Sequence, residues 1–327
     1  MTTEKTDIQI ADALRAVAER ESVTDVFFVA CGGSYAHMMP NQYIVEREAE
    51  QINGIVLNAA EFKARAPKRL GKSAIVILCS HSGTTPETVE AAEIARKAGA
   101  LTISLTHVLG SPLDVASEYT VSYTHEPRTM SSLHSAAVLT RLTFGILHAR
   151  EGNKKVDDLN RALDAIPAIA ESVVKERASK IAEFAEAHKR EAVIYTMASG
   201  ANFGTAYSYA ICILQEMQWV HSAAIHAGEY FHGPFEVTDF DVPFIQLIGV
   251  GPSRGVDERA LAFAEKYSKR MTVLDAKDLG VSKLPESVQE YVAHLIFQPV
   301  LRAYAVSLAD AKGHPLTVRR YMWKLEY

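Results

Sequence analysis

Two kinds of pattern alternate along this chain. Short strand-like runs occur at 25–30, 54–58, 74–79, 101–106 and 118–123, those at 25–30 and 74–79 almost wholly apolar. They have the length and β-branched content of parallel strands buried on both faces. Between them apolar positions recur every three or four residues, most clearly from Pro86 to Ala98, where a proline and an acid open a helical pattern. This is the strand–helix–strand rhythm of a doubly wound parallel sheet. From 131 to about 190 strand-like runs vanish and helical spacing takes over, with interruptions expected near Gly152 and Pro167. The rhythm resumes with a strand over 192–197, a turn at 198–202, a helix over 203–220, strands at 243–249 and 271–275, and a closing helix over 288–311. The expected fold is α/β, with two doubly wound parallel sheets in a loose internal duplication. The first domain spans 1–150, a helical connector 151–190, and the second domain 191–327.

Two of the connecting loops are polar in a telling way. Cys79-Ser80-His81-Ser82-Gly83-Thr84-Thr85 separates a strand from the helix that Pro86 opens. Such a turn offers free backbone N–H groups and the positive end of a helix dipole to an anion, and its hydroxyls add donors. It has no lysine, so it is not a nucleotide P-loop. An ordinary turn capped by Thr85 is the competing reading. The run 25–30 ends in Cys31-Gly32-Gly33-Ser34-Tyr35, whose glycines allow close backbone approach to a ligand. In a flavodoxin-like strand order of 2-1-3-4-5, these loops follow the two strands that flank the switch point, where ligands bind. A small phosphorylated ligand is the simplest occupant. In the second half the turn Ser199-Gly200 holds the place of Gly32-Gly33-Ser34.

Composition narrows the classes. The 327 residues carry a net charge of −5 and no long basic run, which argues against a nucleic-acid partner. Three well-separated cysteines in apolar runs read as buried thiols in a reducing compartment. The first residues contain no apolar leader, and no apolar stretch is expected to approach the roughly 18 residues that span a bilayer. The expectation is a cytoplasmic protein with no membrane partner. The tail from Arg319 to Tyr327 is too rich in large side chains to be a disordered end.

Candidate chemistry concentrates in the second half. Glu216 is the single acid of the apolar helix 203–220, where helical spacing sets it beside Cys212, Ile213, Trp219 and Val220. Desolvation there would raise its pKa and make it a better base near neutrality, unless it turns out to water. Between five and twenty residues on, His221, His226, Glu229, His232 and Glu236 form the densest polar cluster, with His232 sixteen residues after Glu216. Pro234 biases Gly233 away from helix, which places His232 at a loop edge. Acid–base catalysis, a backbone-satisfied histidine and a metal site built on Glu229 and His232 all remain open, although no His-Glu-x-x-His pattern supports the metal.

Taken together, these residues resemble a tandem sugar-isomerase (SIS) domain protein. The two polar loops resemble the phosphosugar-binding loops of the isomerase half of glucosamine-6-phosphate synthase. That likeness implies substrate-binding roles for Gly33, Ser34, Ser80, His81, Ser82 and Thr85. The synthase's catalytic glutamate and histidine fall on Glu216 and His232, the latter in the run Gly228-Glu229-Tyr230-Phe231-His232-Gly233-Pro234, so Glu229 joins the implied site. Its C-terminal lysine, which handles the open-chain sugar, falls on Lys324. Two departures matter: the glutaminase half has no counterpart, and Ile213 stands where the synthase has a lysine. Over its whole length the chain is most similar to the fructosamine-6-phosphate deglycases. That similarity implies hydrolysis of a phosphorylated Amadori compound to glucose 6-phosphate and a free amino acid, without metal or redox cofactor. It also implies a homodimer in which His232 is donated across the interface. A ketose–aldose isomerase and a non-catalytic sugar-phosphate sensor are the alternatives.

Overall fold

In the computed structural model, which describes residues 3–125 and 131–326, the chain divides into one unit ending near residue 164 and a second beginning at 165. The first unit opens with α1 (Thr3–Glu19), then β1 (Asp25–Ala30), α2 (Gly32–Glu48), β2 (Asn53–Asn58) and α3 (Ala59–Arg65). It continues through β3 (Ala74–Cys79), α4 (Pro86–Lys97), β4 (Leu101–Thr106), α5 (Pro112–Ala116), β5 (Tyr119–Ser122) and α6 (Ser135–Glu151). Its five strands are parallel in the order β2-β1-β3-β4-β5. Strands β1, β3 and β4 are buried at every residue, as runs covered by helices on both faces must be. One layer of core sets Phe27, Val29, Val76 and Leu78 against Phe62 of α3 and the alanines of α4.

Helix α7 (Val156–Glu176) carries the chain across the division. The interruption expected at Pro167 does not occur. The buried stripe Leu159, Leu163, Ile166, Ala170, Val173 continues through it, and burial of that stripe outweighs the cost of a proline in mid-helix, about 3 kcal/mol. The break comes instead at Arg177, before α8 (Ala178–His188).

The second unit then forms β6 (Tyr195–Ala198), α9 (Phe203–Ser208), β7 (Ala224–His226), β8 (Phe244–Ile248), α10 (Arg254–Tyr267), β9 (Met271–Asp275) and α11 (Gln289–Lys312). Four parallel strands run in the order β7-β6-β8-β9, repeating the start of the first sheet. The duplication extends to the first loops: Gly32 follows β1 at φ 56° and Gly200 follows β6 at φ 53°, a left-handed turn that glycine adopts without steric cost. The expected helix 203–220 is α-helical only to Ser208 and widens to a π-helix over Tyr209–Met217.

One expectation about apolar length is corrected. The segment Glu286–Lys312, whose most apolar 18-residue window has a mean hydropathy of 1.3, is long and apolar enough to cross a membrane. It contains α11, and 72% of its most apolar window is buried inside the protein, so its apolarity is that of a core helix. The cysteines are likewise less uniform than expected, for Cys79 is buried while Cys31 and Cys212 are partly exposed, and all three are free.

Candidate active site

The two polar loops of the first unit meet. Strands β1 and β3 are neighbours with Ala30 opposite Cys79, so the residues following each strand emerge side by side. Gly33 and Ser34, expected in a loop, sit in the first turn of α2, and Ser34 hydrogen-bonds the Cys79 thiol. After Cys79 the chain turns through Gly83, whose φ is 68° and where an added Cβ would lie 2.0 Å from Ser111 Oγ. Only glycine fits there. Ser80 is buried and shapes the turn: its Oγ accepts from Gly83 N–H at 3.2 Å and pairs with Thr85 Oγ1 at 2.8 Å. Thr85 occupies the N-cap position of α4 without capping it, since its hydroxyl faces Ser80. Ser82 Oγ pairs with Thr84 Oγ1 at 2.7 Å on the exposed side. The first turn of α4 is thus left without a side-chain cap beside a set of hydroxyl donors, an arrangement suited to phosphate.

His81 belongs to a chain of imidazoles in contact at this end of the sheet, with ring centroids 4.5 Å from His125 and 5.1 Å from His107. Burial, and then those two histidines, hold its pKa below the ordinary value, so it is a neutral donor or acceptor at pH 7. The loop therefore presents hydroxyls and backbone N–H groups rather than a cation. Burial pushes the Cys79 thiol up to about 11, which removes it as a nucleophile.

In the second unit the π-helix carries Glu216 to the wall of a cleft of about 760 Å³. The wider turn is visible in Gln218 N–H, which bonds back to Ile213 at 2.9 Å, five residues earlier. π-Helical turns lie at functional sites more often than chance. Glu216 keeps 23% of its side chain exposed and receives a hydrogen bond from Arg319 Nη2 at 2.8 Å. Arg319 is buried, and its Nη1 also donates to the carbonyls of Leu316 and Val318. Burial raises the Glu216 pKa above the usual carboxylate range, and Arg319 offsets part of that rise. Burial also pushes the nearby Cys212 thiol up to about 11.

Two tryptophans flank this pair in left-handed backbone conformations, Trp219 at φ 55° and Trp323 at φ 62°. Arg320 lies over the Trp219 ring at 4.3 Å, and His314 meets the same ring edge-on at 4.5 Å. Of the expected aromatic and basic tail, Arg319, Arg320, Tyr321 and Met322 form the other wall of the Glu216 cleft, and Tyr327 lies outside the described residues. Arg319 itself was not anticipated. The signal available was an arginine pair inside a tail too apolar to be loose, but nothing local in the sequence names its partner.

His232 ends a short 3₁₀ turn (Tyr230–His232) and is exposed, with its N–H bonded to the Glu229 carbonyl at 2.9 Å. Gly233 follows at φ 142°, a conformation open to glycine, so the loop edge read from Pro234 is present. Glu229 is exposed beside it. His226 bonds the Gly228 N–H at 3.1 Å, and His221 lines the Glu216 cleft. No group of three or more potential metal ligands comes together among the described residues. Lys324 is exposed, its N–H bonded to the Tyr321 carbonyl. Glu216 and Arg319 form an ion pair, while among the described residues His232 and Lys324 are exposed and show no side-chain partner.

The fold and these loops define an SIS-domain protein, and the SIS domain family matches residues 22–146. The chain is 50% identical over 307 residues to fructosamine deglycase FrlB of Bacillus subtilis, spanning 94% of each protein. It is 24% identical over 315 residues to fructoselysine 6-phosphate deglycase of Escherichia coli K12, covering 96% of this chain and 90% of that one. Among solved structures, one from Bacillus subtilis superposes with a TM-score of 0.95 at 47% identity over the full length of both chains. The C-terminal domain of glucosamine-fructose-6-phosphate aminotransferase from Francisella tularensis shares the fold at a TM-score of 0.77 and 18% identity, over 96% of this chain and 94% of that one. The chain belongs to the fructosamine deglycase family of SIS-domain enzymes.

Proposed function

We propose that the protein hydrolyses a 6-phosphorylated Amadori compound, a 1-amino-1-deoxyketose phosphate, to glucose 6-phosphate and a free amino acid. The observation that carries this reading is Glu216, a half-buried carboxylate with a raised pKa, set in a cleft on a helix that is otherwise apolar. The likeness to deglycases over nearly the full length of the chain supports it.

The chemistry follows from the substrate. The Ser82 and Thr85 hydroxyls and the start of α4 take the phosphate. His232, exposed on its fixed loop edge, serves ring opening. Glu216 removes a proton from C1, the electrons of that bond form the C1–C2 double bond, and the C2 carbonyl π electrons move to its oxygen, which takes a proton to give an enaminol. A proton returned at C2 leaves an imine between C1 and nitrogen. Water adds to C1, the C–N bond breaks with its electrons to nitrogen, and the amine departs protonated. Protons move between adjacent carbons with no net oxidation, so this sequence calls for no redox cofactor. In this reading the enzyme is cytoplasmic and acts as a homodimer, with His232 supplied to the partner's Glu216.

The test is incubation with a 6-phosphofructosyl amino acid and measurement of both products. Equimolar glucose 6-phosphate and amino acid support the reading. A new sugar phosphate that still carries its nitrogen would indicate an isomerase, and binding without turnover a sensor.

A further inference from the structure

We propose that Arg320 anchors the α-carboxylate of the amino acid carried on the substrate nitrogen. This deepens the deglycase reading and rests on it. The charge around the cleft makes the case. Among the described residues lining it, Glu216 is the one acid, and it is bonded to Arg319. Arg319 is further committed to two carbonyls. Arg320 has no acid partner among the described residues, and its guanidinium lies over the Trp219 ring at 4.3 Å and 6.0 Å from the Tyr321 ring. A guanidinium lying over an aromatic face keeps its N–H groups directed outward in its own plane, the geometry that grips a carboxylate with two parallel bonds.

The platform is held at a cost. Trp219 adopts a left-handed backbone at φ 55° immediately after the π-helix, and the edge of His314 packs against its ring. A bulky residue in that conformation is strained, and such strain persists at ligand clamps, where the surroundings fix it. It sets one face of the indole under Arg320 in the same cleft as Glu216.

Substrate geometry supplies the rest. The nitrogen is bonded to C1, the carbon whose proton Glu216 removes. In an α-linked amino acid the carboxyl carbon lies two bonds beyond that nitrogen, within about 4 Å of C1 at ordinary bond lengths. The carboxylate therefore enters the Glu216 cleft with the reacting carbon. Two carboxylates so close repel unless a cation accompanies the second, and Arg320 is the cation available. An amino acid linked through a long side chain would hold its carboxylate several bonds farther off and gain less.

The experiment compares N-(6-phosphofructosyl)glycine with N-(6-phosphofructosyl)methylamine, which differ by the carboxylate alone. Wild-type enzyme is expected to favour the glycine compound in kcat/KM by about tenfold to a hundredfold, the worth of a charge-assisted pair. In Arg320→Met that ratio should fall toward one, chiefly through KM on the glycine compound, and Arg320→Lys should restore part of it. A wild-type ratio near one overturns the proposal whatever the variants do, as does an undiminished ratio in Arg320→Met. The outcome is separable from the deglycase reading, which fails only if wild type releases amine from neither compound.

Discussion

Arg319 Nη2 lies 2.8 Å from Glu216 Oε1, and this bond places a buried cation against the proposed base. The pairing settles two opposing demands on one carboxylate. Desolvation on an apolar helix raises the Glu216 pKa, which would make it a stronger base, and the guanidinium offsets part of that rise.

Replacing Glu216 by Gln removes the base but keeps the shape and a hydrogen-bonding oxygen toward Arg319. Turnover should fall by roughly a hundredfold to ten-thousandfold, the usual worth of general-base catalysis. Substrate binding, measured by calorimetry, should stay close to wild type. A variant with more than half of the wild-type rate would remove Glu216 from the mechanism.

Arg319→Met tests the electrostatic half of the pair. The base works only when deprotonated, so activity rises with pH through the Glu216 pKa. Burial already raises that pKa and Arg319 lowers it. Removing the arginine leaves the upward push unopposed, and the acidic limb of the kcat profile should move to higher pH. Arg319→Lys should hold the limb nearer to wild type. An unmoved limb in a folded Arg319→Met protein would show that the pair does not tune the base.

Ser82→Ala and Thr85→Ala should act on affinity for the phosphate. Each charge-assisted hydrogen bond contributes about 1.5–3 kcal/mol, so inorganic phosphate and substrate should bind roughly tenfold to a hundredfold more weakly. Thr85→Ala also frees Ser80 Oγ from its 2.8 Å partner and should loosen the turn. If both variants discriminate phosphorylated from unphosphorylated substrate as wild type does, the loop assignment is wrong.

His232→Ala should lose most activity on ring-closed substrate and less on an open-chain analogue. If His232 serves the partner's site, mixing inactive Glu216→Gln and His232→Ala subunits should restore activity at up to about a quarter of the sites, by random pairing in a two-fold dimer. No recovery after verified exchange would place both residues of a working site on one chain.

The sheets were legible because β1 and β3 are apolar at nearly every position and buried at all of them, the plainest pattern a parallel strand can show, while β4 is equally buried but alternates apolar residues with Thr and Ser. Strand β7 escaped notice because its three residues at a sheet edge are too few to make a pattern. Helix α2 was hidden by its glycines, whose low helix propensity reads as loop although the backbone turns helical at Gly32. In the site, Glu216 stood out as the lone acid on an apolar helix, and Cys212, Trp219 and Val220 do lie near it, but the widening of the helix was not legible. Ordinary helical spacing assumes 3.6 residues per turn, whereas the π-helix bonds Gln218 back to Ile213. Arg319 could not be assigned from sequence, because its ion pair joins segments far apart in the chain and depends on how α11 delivers the tail to the cleft.

The most direct test of the account follows the two hydrogens on C1. Substrate bearing deuterium at both C1 positions should turn over more slowly than the protiated compound and yield glucose 6-phosphate with a single deuterium at C1, because Glu216 takes the other. Hydrolysis of the C–N bond without C1 deprotonation would instead give fructose 6-phosphate with both deuteria retained, and that product would contradict the mechanism outright.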